Sequence, residues 1–116
     1  MRGPSTLGAE IHAALGQYVY ALEDPRDGLL FYVGRGVGDR VLHHTWAALV
    51  SEEPGAKLER IRAIDTAGFS PRAYILRRRL GTHSTAAEVE AAIIDVLLRW
   101  KVPLTNLVRG AGVENG

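Results

Sequence analysis

The chain has no cysteine among its 116 residues and only one methionine. Without cysteine, disulfide bonds and thiolate metal sites are both excluded, which fits a reducing compartment. No apolar run approaches the roughly 18 residues needed to cross a bilayer. Residues 1–14 also lack the continuous apolar stretch of a signal peptide. We therefore expect a cytoplasmic protein that has no membrane partner.

The chain also has no strong excess of positive or negative charge. The formal net charge is only +1, which by itself does not indicate a nucleic-acid partner. The obvious basic cluster is Arg77-Arg78-Arg79, with Arg72 nearby. A solvated strand end explains this cluster as well as a phosphate-facing patch does. Because the net charge is so small, we expect any binding of nucleic acid to depend on local clusters such as the one that contains Arg77 and Arg79.

The remaining composition is that of an ordinary globular protein, with 47% hydrophobic and 23% charged residues. A chain of 116 residues suits one domain with one modest core. We expect a single domain over 1–116, with loose ends at about 1–8 and 110–116.

Local patterns predict an α/β fold of the α+β type, with a small three-stranded antiparallel sheet flanked by helices. Strands are predicted at 17–22, 29–33 and 69–78. Asp24-Pro25 and Asp27-Gly28 have strong turn chemistry and make the first two strands a hairpin. We interpret the glycine run from Gly34 to Gly38 as a turn that ends the second strand and brings Arg35 and Arg40 to its edge.

Three helices complete the predicted order β-β-α-α-β-α. The first has Asp39 as its N-cap and runs to about residue 50. The second covers about 56–67 and ends before Gly68. The third opens at the capping box Thr85-Ala86-Ala87-Glu88 and reaches about Trp100.

The third helix carries a carboxylate among apolar residues. At 100° per residue, one wide apolar arc contains Val89, Ile93, Ile94, Val96, Leu97 and Trp100. Glu90 falls inside this arc, where a charge is costly unless a cation or a metal pairs with it. A structural ion pair with an arginine and a functional role are equally compatible with this pattern.

Arg40 and His44 lie four residues apart, on a face of the first helix away from its packing stripe. They could share one phosphate, because arginine supplies a permanent charge and histidine exchanges protons near neutral pH. Such a pair is more often simply a solvated helix face. We place His83 in a loop, without a partner at metal-ligand spacing.

Tyrosines mark the first two strands. Since strand residues alternate faces, Tyr18 and Tyr20 should share one side of the hairpin, and Tyr32 can lie near them. Tyrosine is a favoured strand residue and usually needs no function. These residues suggest a function only as part of the larger set.

In order along the chain, that set resembles the GIY-YIG nucleases, most closely the LEM-3-like branch. The resemblance spans about 17–109 and includes Val19-Tyr20, Tyr32-Val33-Gly34 and the ending Leu104 to Gly110. The matching single residues are Arg40, His44, Glu90 and Asn106. The family's small three-stranded fold agrees with the predicted order of elements.

The resemblance implies a role for each matching residue. Tyr20 would help to deprotonate the attacking water, with a neighbouring cation or His44 lowering the pKa of its phenol, and Tyr32 would position water or phosphate. Arg40 would stabilise charge on the scissile phosphate. Glu90 would bind one Mg²⁺ or Mn²⁺, and Asn106 would brace the site.

This chain also departs from the family. Tyr18 stands in place of a glycine, and Arg35 stands where many members have lysine. The segment between Gly34 and Arg40 looks shorter than in repair-type members. No appended DNA-binding module is evident, so substrate choice would come from the chain's own surface or from a protein partner.

The sequence therefore predicts a metal-dependent endonuclease that hydrolyses DNA, with branched DNA as a candidate substrate. A nucleic-acid-binding module of the same fold that has lost turnover is the main alternative. A purely structural or interaction domain, in which Glu90 pairs with an arginine, is a third.

Overall fold

The computed structural model describes residues 15–41 and 54–106. Within them lie β1 (Tyr18–Asp24), β2 (Leu29–Gly36), α1 (Ala56–Thr66), β3 (Arg72–Arg77) and α2 (His83–Arg99). The strands form one antiparallel sheet in the order β2-β1-β3. The predicted α+β fold is confirmed. No helix in these ranges is long and apolar enough to cross a membrane.

Some predictions lie outside the described residues. Of the helix predicted from Asp39 to about residue 50, only residues 39–41 are described, and of these Arg40 and Val41 are helical. His44, the predicted loose ends and the last part of the segment Leu104 to Gly110 are in the ranges that are not described.

The side chains on the two faces of the central strand β1 pack in two separate hydrophobic clusters. Tyr18, Tyr20 and Leu22 are buried in one cluster, which includes two isoleucines of α1. Val19 and Ala21 are buried in the other, which includes residues of α2. This division follows from the alternation of side chains along a strand. The sheet is therefore packed against a helix on each face.

A β-bulge interrupts the alternation in β2. Leu22 pairs with Tyr32, and Glu23 pairs with Leu30, which leaves Phe31 as an extra residue. As a result, Phe31 and Tyr32 both pack in the cluster of α1, although they are neighbours in the chain. The amide and the hydroxyl of Thr105 donate hydrogen bonds to the Phe31 carbonyl at 2.6 and 2.8 Å.

The interpretation of the glycine run as a turn was wrong for Gly34 and Gly36. The strand β2 continues through both, three residues beyond its predicted end at Val33. Their Cα partners in β1 are Tyr20 and Tyr18, whose rings need the space that a glycine leaves. Only from Val37 does the chain leave the strand, and Gly38 has a φ of +57° in the turn that follows.

The predicted capping box at Thr85 was also wrong. The N-cap of α2 is Thr82, whose hydroxyl accepts a hydrogen bond from the Thr85 amide at 3.0 Å. Gly81, with a φ of +81°, turns the chain just before this cap, so the helix begins earlier than predicted.

Two members of the predicted apolar arc of α2 are exposed, Val96 at 55% and Trp100 at 75%. Val96 lies about 200° around the helix from the buried Ile94, which faces the sheet. Trp100 is the C-cap. The arc predicted from periodicity is thus wider than the surface that the sheet covers.

The remaining strand and helix boundaries differ little from the predictions. The first strand runs two residues further, to Asp24, and β3 is shorter at both ends. The C-cap of α1 is Ala67, and Gly68 follows it with a φ of +90°. Gly68 therefore ends the helix as predicted.

A buried carboxylate joins the hairpin turn to α1. Asp24 is 1% exposed and accepts hydrogen bonds from the Arg26 side chain at 2.8 Å and from Arg60 of α1 at 2.8 Å. The Arg26 hydrogen bonds, and then those from Arg60, hold the pKa of Asp24 well below its usual range, although burial acts in the opposite direction. The ionised form is therefore the one that the fold stabilises.

We predict that Asp24→Asn lowers the free energy of unfolding at pH 7 by about 2 kcal/mol, because two arginines lose their charged partner. Because the folded pKa is depressed, this stabilisation is complete above about pH 5 and is lost as pH falls through the folded pKa. Urea denaturation between pH 7 and pH 3 measures both effects. Asp27→Asn is the matched control, since Asp27 is exposed and contacts Arg60 only at 3.4 Å. Equal losses in the two variants would contradict the prediction.

Candidate active site

Two tyrosine rings of β1 cover two glycines of β2. A Cβ at Gly34 would lie 2.8 Å from the Tyr20 Oη atom and 2.8 Å from the Tyr32 Cε2 atom. A Cβ at Gly36 would lie 2.9 Å from the Arg40 Cβ atom. Real Cβ atoms do not approach so closely, so these positions accept only glycine without a shift of their neighbours.

The hydroxyl of Tyr18 holds the chain that leads to Arg40. It accepts a hydrogen bond from the Val41 amide at 3.0 Å and donates one to the Gly38 carbonyl at 2.7 Å. Burial raises the pKa of Tyr18 above its ordinary value, partly opposed by the Val41 hydrogen bond. Tyr18 therefore positions the helix start rather than taking part in proton exchange.

The buried Tyr20 packs against the half-buried Tyr32, with ring centroids 6.1 Å apart. The Tyr18 ring is also 6.1 Å from that of Tyr20, so the prediction that these tyrosines share one side is confirmed. Burial, and then the neighbouring Tyr32, raise the pKa of Tyr20 far above its ordinary value. Burial, and then Glu90, raise the pKa of Tyr32, while Arg40 and a hydrogen bond from Tyr20 act against this rise.

Two opposing effects act on the pKa of Tyr20. The positive charge of Arg40 does lower the pKa of Tyr20, but burial has the larger, opposite effect. Both phenols are therefore protonated at neutral pH. In this state each phenol carries a proton that it can donate to an oxygen in a hydrogen bond.

Glu90 has the cation partner that its place among apolar residues required. Its Oε1 atom accepts a hydrogen bond from the Arg35 Nε atom at 2.8 Å, and the Glu90 side chain is 21% exposed. The Arg35 Nη1 atom lies 2.9 Å from the His83 Nε2 atom. Arg35 thus joins two positions on the face of α2 that looks towards β2.

His83 was missed as a site residue because the helix was predicted to begin too late. In the structure His83 is the first residue of α2. It lies seven residues before Glu90, which is two helical turns, so the two share a face. A guanidinium can only donate, so a hydrogen bond here requires the His83 Nε2 atom to accept it. If the N-cap had been placed at Thr82, the sequence would have indicated that His83 and Glu90 share a face of the helix.

Lys57, in the first turn of α1, was also missed. Its Nζ atom lies 4.4 Å from the centroid of the Tyr32 ring. Burial, and then the charge of Arg40, lower the pKa of Lys57. No local pattern places this lysine beside Tyr32, because α1 and β2 are brought together only by the tertiary fold.

Two adjoining cavities are lined by these residues. The smaller, of about 320 Å³, is bounded by Gln17, Tyr32, Arg35, Gly36, Val37, Arg40, His83 and Glu90. The larger, of about 660 Å³, lies between the start of α1 and the middle of α2. Tyr32, Arg35 and Glu90 line both cavities and so form the wall that they share.

Asn106 is bound to the backbone of β2. Its side-chain amide donates to the Val33 carbonyl at 2.7 Å and its carbonyl accepts from the Val33 amide at 3.0 Å. Asn106 therefore braces the strand that carries Tyr32. Arg77 and Arg79 are on the other side of the sheet, at the end of the opposite edge strand β3, and both are exposed.

Among the described residues that line the smaller cavity, Glu90 provides the carboxylate for a divalent cation. In the ranges 15–41 and 54–106, no group of three or more His, Cys, Asp and Glu side chains could hold a metal. Glu90 alone faces the smaller cavity with an acidic oxygen. This fits a hard cation such as Mg²⁺, which is commonly bound by one or two carboxylates, substrate phosphate and several waters.

Neither models of protein families, nor curated proteins, nor solved structures match this chain. Its function is therefore inferred from the geometry of the site.

We predict that Gly34→Ala lowers the free energy of unfolding by about 1 to 3 kcal/mol, because the new methyl group displaces two packed rings. Chemical denaturation of Gly34→Ala, Tyr20→Phe and the double variant measures the coupling. The penalty of Gly34→Ala should be smaller in the Tyr20→Phe background, where one of the nearest atoms is gone. Additive effects would contradict the close approach of Tyr20 to Gly34.

Proposed function

We propose that this protein is an endonuclease that hydrolyses phosphodiester bonds in DNA with a divalent metal ion. The observation that supports this most strongly is the arrangement around the smaller cavity. A phenol, two arginines, a histidine and a carboxylate, which are far apart in sequence, line it, and a second phenol, Tyr20, packs against the Tyr32 ring. We further propose a cytoplasmic location and a protein partner or branched DNA structure as the source of targeting.

The arginines suit the binding of a phosphate. Arg40 and Arg35 line the same cavity of about 320 Å³. Guanidinium groups keep their charge at any physiological pH and present planar pairs of donors to phosphate oxygens. Arg40, which is exposed, stabilises the charge that develops on the scissile phosphate. Arg35 contributes a second positive charge at the same place.

The phenols orient rather than ionise. Because burial raises the pKa of Tyr20 and of Tyr32, both hydroxyls remain donors at neutral pH. Tyr32, which lines the smaller cavity, can hold the attacking water or a non-bridging phosphate oxygen in a fixed direction, while the hydrogen bond from Tyr20 orients the Tyr32 hydroxyl. We propose His44, four residues after Arg40 in the sequence, as the proton acceptor for that water.

Glu90 would hold the metal ion. When bound, a divalent ion supplies a Lewis acid beside the phosphate and lowers the pKa of a bound water. The chain itself contributes the Glu90 carboxylate, and the ion pair with Arg35 directs it into the cavity. Asn106 keeps β2, and with it Tyr32, in place.

A second candidate function is a nucleic-acid-binding module without turnover. It is favoured by one specific observation, the ion pair between Glu90 and Arg35 at 2.8 Å, which satisfies the carboxylate without any metal. In such a module the same arginines would bind phosphate, and cleavage would be absent.

Nicking of supercoiled plasmid and of branched DNA with Mg²⁺ or Mn²⁺ distinguishes the two functions. We expect Glu90→Gln to lower metal-dependent cleavage by about a hundredfold or more, because the metal loses its carboxylate. Glu88→Gln is the matched control, because Glu88 is exposed on the same helix. This variant should cleave DNA at the rate of the native chain. Full activity in Glu90→Gln, or no cleavage by the native chain on any DNA, would overturn the proposal.

Variants of Tyr18 and Tyr20 distinguish an effect on stability from an effect on turnover. Tyr18→Phe should lower the free energy of unfolding by about 1 to 3 kcal/mol, because the Val41 amide and the Gly38 carbonyl lose their partner. Tyr20→Phe should lower turnover by about a hundredfold with a smaller loss of stability, because Tyr32 loses the hydrogen bond that orients its hydroxyl. Single-turnover cleavage and urea denaturation measure the two effects. The reverse pattern would exchange the roles of Tyr18 and Tyr20.

A further inference from the structure

The larger cavity is big enough for a small organic molecule. Its volume is about 660 Å³, within the range of small-molecule sites, whereas protein interiors are normally close-packed. One wall is the face of α2 that carries Ala87 and Ala91, which lie one turn apart. Their small side chains leave the space open between α2 and the start of α1.

The lining combines an apolar surface with positive charge. Leu58 and Ile94 contribute apolar surface. Lys57, half-buried at the cavity, stands over the Tyr32 ring, and Arg35 lies at the wall shared with the smaller cavity. An apolar space bordered by cations suits a ligand that has a flat apolar part and a negative part.

The position of the cavity narrows the choice of ligand. Because the two cavities share the wall formed by Tyr32, Arg35 and Glu90, a phosphate at Arg40 has the larger cavity as its immediate neighbour. In a nucleic-acid strand, the group next to a phosphate is a nucleoside. A nucleobase is planar, largely apolar on its faces and smaller than the cavity.

We propose that the larger cavity binds the nucleobase next to the phosphate held by Arg40 and Arg35, so that the substrate is DNA in which this base is unpaired. A base inside a duplex cannot enter a side cavity unless it leaves the stack, and that costs least where the strand is already single, branched or damaged. The inference rests on the proposed function for the position of the phosphate.

The test is a binding measurement without metal, so that no strand is cleaved. Two fluorescein-labelled strands of about ten nucleotides are compared by anisotropy, one of thymidine nucleotides and one of abasic deoxyribose phosphates, in EDTA. The native chain should bind the base-containing strand about tenfold more tightly. Ala91→Met, which fills the cavity, should remove this preference and bind the abasic strand as the native chain does.

Ala92→Met is the matched control, because Ala92 is exposed beside Ala91 on α2 and should keep the preference. Ala87→Met on the same wall is a second filling variant. Equal binding of the two strands by the native chain would overturn the inference, and so would a preference retained in both filling variants.

Failure of the proposed function has a different signature. Base preference that is lost in Ala91→Met, together with no plasmid nicking under any condition, supports the nucleobase cavity and overturns only the nuclease. Metal-dependent nicking without any base preference supports the nuclease and overturns only the nucleobase cavity.

Discussion

The packing of two tyrosine rings over two glycines, across the ladder between β1 and β2, is the constraint on which the site depends. The Tyr20 ring lies over Gly34 and meets Tyr32, and the Cβ atom of Arg40 lies over Gly36. The same contacts therefore stabilise the hairpin and set the distances between a phenol pair and an arginine. A side chain at either glycine would have to move a residue of the site, so packing and chemistry cannot be altered separately here.

Two further features of the edge strand β2 fix the position of Tyr32: the β-bulge, and the hydrogen bonds that β2 accepts from Thr105 and exchanges with Asn106. With strict alternation, Phe31 and Val33 would share one face, and Tyr32 would point to the other. The bulge instead places Phe31 and Val33 in different clusters, and Tyr32 stays beside Phe31. The cost of a bulge is a backbone that lacks regular partners. Thr105 binds the Phe31 carbonyl, and the Asn106 side chain pairs with both backbone groups of Val33, so a following segment replaces a neighbouring strand.

The hairpin, the α+β order of elements and the shared face of Tyr18 and Tyr20 could be predicted because they follow from local periodicity and turn chemistry. The glycines in β2 could not, since their local preference for turns is overridden by rings from another strand. His83 was concealed by an N-cap predicted three residues too late. Lys57 has no sequence signal at all, because its neighbour Tyr32 belongs to an element that is distant in the chain. Glu90 could be singled out as needing a partner, but the identity of Arg35 depends on the register of β2 against α2.

Arg35 links the two halves of the proposed chemistry. In the structure its guanidinium is shared between Glu90 and His83, and it stands in the wall between the two cavities. A phosphate that enters the smaller cavity competes with Glu90 for the same guanidinium, and two anions beside one cation repel each other. A divalent ion between carboxylate and phosphate would remove that repulsion, so that binding of the metal and of the strand would favour each other. The ion pair seen here is then compatible with turnover, because it holds the Glu90 carboxylate at the wall of the cavity until both arrive.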